Sequence, residues 1–244
     1  MAKKLRIKVA FNVDQLELRG LVTKGKAEGD LPAKLKWNTG SQRYCIANEY
    51  IAGTLGRFVG LPIPPFAVVH SSEHLFGARP IFGSLNINWD RKDDLPIWPQ
   101  SCWDRLPDLC TGATVFDAWI ANSDRWDKNL AVDDTFKPRQ MQLFDHGEAL
   151  LGTEGVERLE RVKGSLGITG KHPEEGYRHI FLDEIDTQQF MNEWIERIYF
   201  VPHSFMQRTC ERALHSEVGC IRRVNGMRCA PGIYLVDAPA NAPQ

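Results

Sequence analysis

Apolar and polar residues alternate along much of the beginning of the chain. Residues 5–11 (LRIKVAF) and 33–37 (AKLKW) show this alternation, and residues 16–23 form a further apolar-rich run. A period of two is typical of half-buried strands, whereas the two glycines of residues 24–30 (KGKAEGD) favour a turn. The pattern predicts a small antiparallel sheet with a turn at 24–30.

A helical spacing of three and four residues replaces the alternation in the next segment. Residues 44–59 carry an apolar stripe at this spacing, so they are predicted to form a helix. The helix should end at Gly60, because three prolines follow within five residues and cannot continue it. A short apolar strand is predicted at 66–70, and residues 77–98 are typical of loops around one short strand.

Helical periodicity returns at residues 111–122 and dominates the last third of the chain. Short apolar runs at 130–132 and 141–144 flank turn-forming residues and predict a hairpin. Residues 187–200 and 202–217 carry long apolar stripes of helical period. Sheet and helix come first and a mostly helical body follows, which predicts an α+β fold.

Composition and charge narrow the class of protein. The chain has 244 residues, with 30 Lys plus Arg against 31 Asp plus Glu, a formal charge of −1. Bulk nucleic-acid binding needs an excess of basic residues, so this balance argues against it. The 7 Trp, 12 Phe and 5 Tyr argue against extensive disorder. No apolar stretch approaches the roughly 20 residues that a membrane span requires.

The cysteine pattern indicates free thiols. No two of the six cysteines form a CxxC pair, and their spacing matches no common zinc site. We therefore expect a protein of a reducing compartment, with a cytoplasmic location. The cysteines stand at positions 45, 102, 110, 210, 220 and 229.

Residues 116–147 carry the most informative group of polar side chains. Asp124 and Asn129 lie five residues apart in SDRWDKN, and Asp145 follows the predicted hairpin in LFDHG. Phosphoryl transfer needs a carboxylate near the attacking hydroxyl and oxygen ligands that hold Mg²⁺ against phosphates. Asp and Asn at this spacing are common in surface loops. Their combination with a preceding helix and an aspartate after a hairpin favours the catalytic and metal loops of a kinase fold.

The run FDAWIANSDRWDKNLAV…LFDHGEAL resembles the HipA-like kinases, an atypical branch of the protein-kinase-like fold that is related to phosphatidylinositol kinases. The matching positions are Trp119, Ile120, Asn122, Asp124, Arg125, Asn129, Asp145 and Gly147. The resemblance implies that Asp124 is the catalytic aspartate. It also implies that Asn129 and Asp145 are ligands of Mg²⁺ bound with ATP.

An earlier segment, KLKW…ANEYIAGTLGRFVGLPIPP, is similar to the HipA-like pattern as well. Kinases place a strand lysine on the ATP phosphates and hold it with a helix carboxylate. Lys36 lies on the predicted strand, and Glu49 lies thirteen residues later on the predicted helix. The resemblance implies that these two residues bind the nucleotide. Lys34 points to the same face of the strand as Lys36 and is the alternative phosphate lysine.

Other residues near these motifs have open roles. Residues 20–29 (GLVTKGKAEG) precede the lysine strand as a hairpin lid would, but they lack a G-x-G-x-x-G motif. Arg125 is a candidate partner for either a phosphate or a neighbouring carboxylate. His146 is expected to steady its loop or to pack there. Residues 158–171 are either a substrate segment or a plain surface loop.

The resemblance implies a two-lobed kinase that transfers the γ-phosphoryl group of ATP to a Ser or Thr hydroxyl of a protein, this chain included. The N-terminal lobe would span residues 1–100, with its boundary at 75–100. A helical C-terminal lobe would span 101–236, followed by a flexible tail at 237–244. The expected partners are a protein substrate and a regulatory protein.

Two alternatives stay open. One is a small-molecule or lipid kinase of the same fold. The other is a nucleotide-binding pseudokinase that acts as a regulatory or toxin–antitoxin partner, although the presence of all five predicted site residues argues against it.

Overall fold

The protein is described from a computed structural model. It describes the backbone of residues 6–18, 21–70, 80–85, 95–122, 124–150, 152, 155, 179–181 and 188–223. The predicted loop at 158–171 and the tail at 237–244 lie outside the described residues.

Four strands form an antiparallel sheet in the order β1-β2-β4-β3. They are β1 (Arg6–Leu18), β2 (Leu21–Lys36), β3 (Phe66–His70) and β4 (Pro80–Leu85). The predicted N-terminal sheet is thereby confirmed, together with the strand at 66–70 and the short strand within 77–98. Strand β4 lies between β2 and β3, so the lysine-bearing end of β2 packs beside a buried strand.

The turn predicted at residues 24–30 is wrong. These residues lie within β2, where Gly25 pairs with Val13 and Gly29 pairs with Val9. The chain reverses between Leu18 and Leu21, which pair with each other. Glycine weakens a strand without preventing backbone pairing, so the register with β1 overrides the local preference for a turn. Residues 21–29 thus belong to the second strand of the β1–β2 hairpin that precedes Lys36, and their role as a lid stays a prediction.

Five helices and a second, two-stranded sheet account for the rest of the regular structure in the described residues. The helices are α1 (Cys45–Phe58), α2 (Pro99–Arg105), α3 (Pro107–Trp119), α4 (Gln188–Tyr199) and α5 (His203–Arg223). Between α3 and α4, a 3₁₀ turn (Asp127–Asn129) leads into an antiparallel hairpin of β5 (Leu130–Val132) and β6 (Met141–Leu143). The predicted hairpin is confirmed.

Helix α3 begins before the predicted residue 111 because Pro107 starts it. A proline has no N–H to leave unpaired, and its φ angle suits the first turn of a helix. The helix ends where Ala121 adopts a left-handed conformation with φ 54°. This lets the Asn122 N–H donate to the Asp117 carbonyl at 2.8 Å, and the catalytic-loop candidate begins immediately afterwards.

The hydrophobic core joins the inner face of α1 to the sheet, to α3 and to the two C-terminal helices. Trp194 of α4 is fully buried against α3, at a place where a Cβ on Gly112 would lie 2.3 Å from the indole. Its Nε1 donates to Asp108 Oδ1 at 2.8 Å. Glycine at 112 therefore permits the close approach of α4 to α3.

The mixed α and β composition, with small antiparallel sheets, agrees with the predicted fold class. The division into lobes at residues 1–100 and 101–236 stays a prediction. None of the described helices is long and apolar enough to cross a membrane. In the described part of the chain, free thiols occur at Cys45, Cys102, Cys110 and Cys210.

Candidate active site

Strand β2 and helix α1 bring Lys36 and Glu49 together. Lys36 Nζ donates to Glu49 Oε1 at 2.5 Å, and it also donates to Asp145 Oδ1. Glu49 lies on the buried face of α1, whereas the side chain of Asp145 is 36 % exposed. The Lys36 ammonium thus joins a buried helix carboxylate to an accessible carboxylate that lies 109 residues after Lys36 in the chain.

Neighbouring charges keep this ion pair ionised. Burial opposes ionisation of the Glu49 carboxyl, but contacts with His146 and Lys36 outweigh it and lower the pKa of Glu49 to about 2. The His146 Nδ1 atom lies 3.6 Å from Glu49 Oε2. Burial also opposes the charge of the Lys36 ammonium, yet Glu49 and Asp145 together raise the pKa of Lys36. His146 therefore steadies the carboxylate that holds Lys36.

Lys34 occupies a different place from Lys36. Both side chains line the same cavity, as the alternation along β2 predicts. The Lys34 Nζ atom lies 3.8 Å from the centroid of the Phe144 ring, a cation–π contact. The lysine that contacts both Glu49 and Asp145 is Lys36.

The 3₁₀ turn places Asn129 against Asp124. Asn129 Nδ2 donates to the Asp124 carbonyl at 2.5 Å and lies 3.3 Å from Asp124 Oδ2. The Trp126 Nε1–H donates to Asp124 Oδ1. Partial burial, with a further contribution from the charge of Asp145, raises the pKa of Asp124. A carboxylate with a raised pKa is a better proton acceptor than an ordinary surface aspartate.

Asp145 adopts a left-handed backbone conformation with φ 62°. Non-glycine residues adopt this conformation rarely, at a cost of order 1 kcal/mol, so neighbouring contacts must maintain it. The carbonyl before it, of Phe144, accepts from Arg125 Nη1 at 2.7 Å. Two residues on, the Gly147 carbonyl accepts from the buried Asn48 Nδ2 at 2.7 Å. The backbone of Asp145 is therefore held by hydrogen bonds at residues before and after it in the chain.

These groups border one cavity of about 300 Å³. Of the five predicted site residues, Lys36, Glu49, Asn129 and Asp145 line it, and Asp124 adjoins it through its contact with Asn129. Ile63, Phe66 and Phe82 contribute apolar walls. A volume of this size, with apolar walls and a few convergent polar groups, is typical of a small-ligand site.

The oxygen donors suit a magnesium ion that is shared with a phosphorylated ligand. Among the described residues, no three His, Cys, Asp or Glu side chains cluster as a metal site on their own. Magnesium commonly uses one or two carboxylates, with waters and phosphate oxygens completing its shell. The Asp145 carboxylate and the Asn129 amide oxygen fit that requirement, because the amide nitrogen of Asn129 already points to Asp124.

Arg125 pairs with a carboxylate, one of its two expected partners. Its guanidinium contacts Asp117 of α3, and both side chains are fully buried. The sequence pattern did not identify Asp117 or His179 as residues of the site. The available signal for Asp117 was a charged residue on an otherwise apolar helix face, one turn after Ala113 and beside Ile120.

No protein-family model matches the sequence, and no curated protein is significantly similar to it. Among solved structures, the chain is similar to the crystal structure of a Helicobacter pylori proinflammatory kinase, CtkA. The TM-score is 0.45 and the sequence identity 10 %, over 89 % of this chain and 97 % of that chain.

Proposed function

We propose that this protein is a HipA-like kinase that transfers the γ-phosphoryl group of ATP to a Ser or Thr hydroxyl of a protein. The observation that carries the proposal is the contact of Lys36 with both Glu49 and Asp145 in a cavity that Asn129 also lines. Phosphoryl transfer depends on positioning and on electrostatic stabilisation of the phosphates, and this cavity concentrates groups for both.

Each of the five residues has a distinct role in the proposal. Bound Mg²⁺ would neutralise phosphate charge, with Asp145 and Asn129 as its protein ligands. Lys36 binds phosphate oxygens and Glu49 keeps its ammonium in place. Asp124 orients the acceptor hydroxyl and accepts its proton, a role that suits its raised pKa.

The Ser or Thr acceptor, the two-lobed arrangement and the cytoplasmic location come from the sequence and its resemblance to HipA-like kinases. A protein substrate and a regulatory partner belong to the same proposal. Small-molecule and lipid acceptors use the same cavity chemistry, so the acceptor must be tested directly.

The test combines nucleotide binding with phosphotransfer. Wild type should gain thermal stability from Mg-ATP and should transfer labelled phosphate to a protein acceptor more than to lipid headgroups or small alcohols. Asp124→Ala should keep the Mg-ATP thermal shift but lose about 10²–10⁴-fold in transfer rate, the range typical of a lost general base. Asp145→Ala should lose both. Asp127→Ala, an exposed residue of the same loop, is the matched control and should retain both.

Three results would contradict parts of the proposal. Normal activity of Asp145→Ala would overturn the metal site. Transfer to lipid or small alcohols alone would overturn the protein acceptor. Binding of Mg-ATP without turnover, unchanged by Asp124→Ala, would identify a pseudokinase instead.

A further inference from the structure

We propose that Asp117, Arg125 and His179 form a buried brace that positions the catalytic loop and the metal loop relative to each other. This inference rests on the proposed kinase function. None of the three residues lines the cavity in the described structure, so they act through the backbone of other residues and are positioning residues.

The centre of the brace is a two-pronged ion pair. Arg125 Nε donates to Asp117 Oδ2 at 2.7 Å, and Arg125 Nη2 donates to Asp117 Oδ1 at 2.9 Å. Both side chains have no exposed surface. The fork fixes the plane of the guanidinium, which a single-point lysine contact could not do.

The remaining nitrogen of the guanidinium reaches both loops of the site. Arg125 Nη1 donates to the Asn129 carbonyl at 2.9 Å and to the Phe144 carbonyl at 2.7 Å. Asn129 is one metal-ligand candidate, and Phe144 immediately precedes the other, Asp145. The Phe144 N–H also donates to the Asn129 carbonyl at 3.2 Å. The Arg125 side chain thus bridges the two ligand-bearing segments, beside this backbone bond and the β5–β6 pairing.

A second branch connects Asp117 to the catalytic aspartate. Asn122 Nδ2 donates to Asp117 Oδ1 at 2.8 Å, and Asn122 Oδ1 accepts from the Asp124 N–H at 3.2 Å. Asp117 is therefore linked to the backbone of Asp124 and Asn129, and to the carbonyl of Phe144 next to Asp145.

His179 completes the brace from a distant part of the chain. The Phe181 N–H donates to His179 Nδ1 at 3.2 Å, which makes Nδ1 an acceptor and assigns the ring proton to Nε2. His179 Nε2, 3.0 Å from Asp117 Oδ2, then donates to it. The Ile180 N–H donates to the Arg125 carbonyl at 3.3 Å. Residues 179–181 are thereby attached to helix α3 through Asp117 and to the catalytic loop through Arg125.

The energetics favour a positioning role over a purely stabilising one. Burying an ion pair costs desolvation energy, and apolar residues of similar volume often stabilise a fold equally well. An apolar replacement could not hold two backbone carbonyls at fixed positions, however. Misplacement of catalytic groups by about 1 Å can reduce turnover about 10²-fold, so this geometry matters more for rate than for stability.

The test uses the full chain with conservative and disruptive variants. Arg125→Lys keeps the positive charge but cannot form both the two-pronged ion pair with Asp117 and the two carbonyl contacts. The kcat per folded protein should therefore fall about 10²-fold, and KM for ATP should change less than about threefold. His179→Leu should lower kcat about tenfold, and His179→Gln, whose amide can donate to Asp117, should restore it to within about threefold. Thr111→Val on α3 removes a buried hydroxyl outside the brace and should leave kcat unchanged.

Amide hydrogen exchange provides a readout that needs no activity. Arg125→Lys should speed exchange at residues 124–130 and 144–147 at least about tenfold more than elsewhere in the chain, and Thr111→Val should not.

Unchanged exchange at both segments, or a uniform increase along the chain, would overturn the brace. The brace would also be overturned if Arg125→Lys and His179→Leu both fold and keep the kcat of wild type. If Arg125→Lys does not fold, the two His179 variants decide by the same measurements. A wild type without phosphotransfer but with the expected exchange pattern would overturn the proposed function and leave the brace intact.

Discussion

Replacing Glu49 by glutamine removes one negative charge from the buried end of the ion cluster, and its effect on stability can be worked from the structure. The carboxyl has a pKa of about 2 in the fold against an ordinary value of 4.5. Lowering the pKa by this amount corresponds to about 3 kcal/mol of free energy, since a tenfold change in an equilibrium constant is about 1.4 kcal/mol. Loss of one partner of a buried pair costs a similar amount, about 3–5 kcal/mol, and Lys36 keeps Asp145 as a partner. We expect Glu49→Gln to lose about 3 kcal/mol of unfolding free energy near neutral pH.

The pH dependence of this loss has a definite sign. Because the folded-state pKa of Glu49 is lowered, its contribution is complete above 4.5 and is lost as the pH falls toward about 2. The contribution of the Glu49 charge to the difference between wild type and Glu49→Gln should therefore still be complete at about pH 5. Below pH 4.5 it should shrink by up to about 1.4 kcal/mol per pH unit.

Urea unfolding, followed by tryptophan fluorescence and circular dichroism at several pH values, measures this difference. Glu196→Gln, at an exposed site on α4, makes the same change in charge and should alter the unfolding free energy by less than about 0.5 kcal/mol. Equal stability of Glu49→Gln and wild type near neutral pH would refute the reasoning. So would a large difference that stays the same well below pH 4.5.

Two further predictions concern the phosphate lysine and the packing of α4. Lys36→Met should reduce phosphotransfer about 10²–10³-fold, as loss of a charge aimed at the reacting group does, whereas Lys34→Met should cost less than about tenfold. A larger loss in Lys34→Met, measured in the same assay, would make Lys34 the phosphate lysine. Gly112→Ala would place a Cβ 2.3 Å from the Trp194 ring and should destabilise the fold by about 1–3 kcal/mol. Unchanged unfolding free energy in that variant would mean that the two helices pack less closely than described.

The local elements of the fold were predictable because their hydrophobic pattern extends over neighbouring residues. Helix α1, strand β3 and the β5–β6 hairpin appear close to their predicted positions. Strand β2 was not predicted in full, since two glycines suggested a turn within it. Its continuity comes from pairing with β1 along the whole segment, which is a non-local interaction.

Within the site, the sequence identified the candidate side chains, and the tertiary structure brings them together. Asp124 and Asn129 share one loop, so their proximity follows from their spacing, and the motif around them identified Asp145, and a separate earlier segment identified Lys36 and Glu49 as candidates. Only the tertiary structure selects Lys36 over Lys34 for the contact with Asp145, because side chains of both lysines leave the same face of β2. The alternation of side chains along a strand determines the face on which each lysine lies, but not which residues it contacts across the cavity.

The buried brace depends entirely on tertiary structure. Asp117 and His179 are 62 residues apart and have no shared motif, yet they meet at 3.0 Å with Arg125 on the same carboxylate. From the sequence alone, the position of Asp117 on an apolar helix face shows only that its charge, once buried, needs a partner. Which partner it finds, and which backbone carbonyls the pair then holds, depends on how α3, the catalytic loop and residues 179–181 pack together. The sequence thus determines which groups are available for chemistry, and long-range packing decides their distances and therefore their roles.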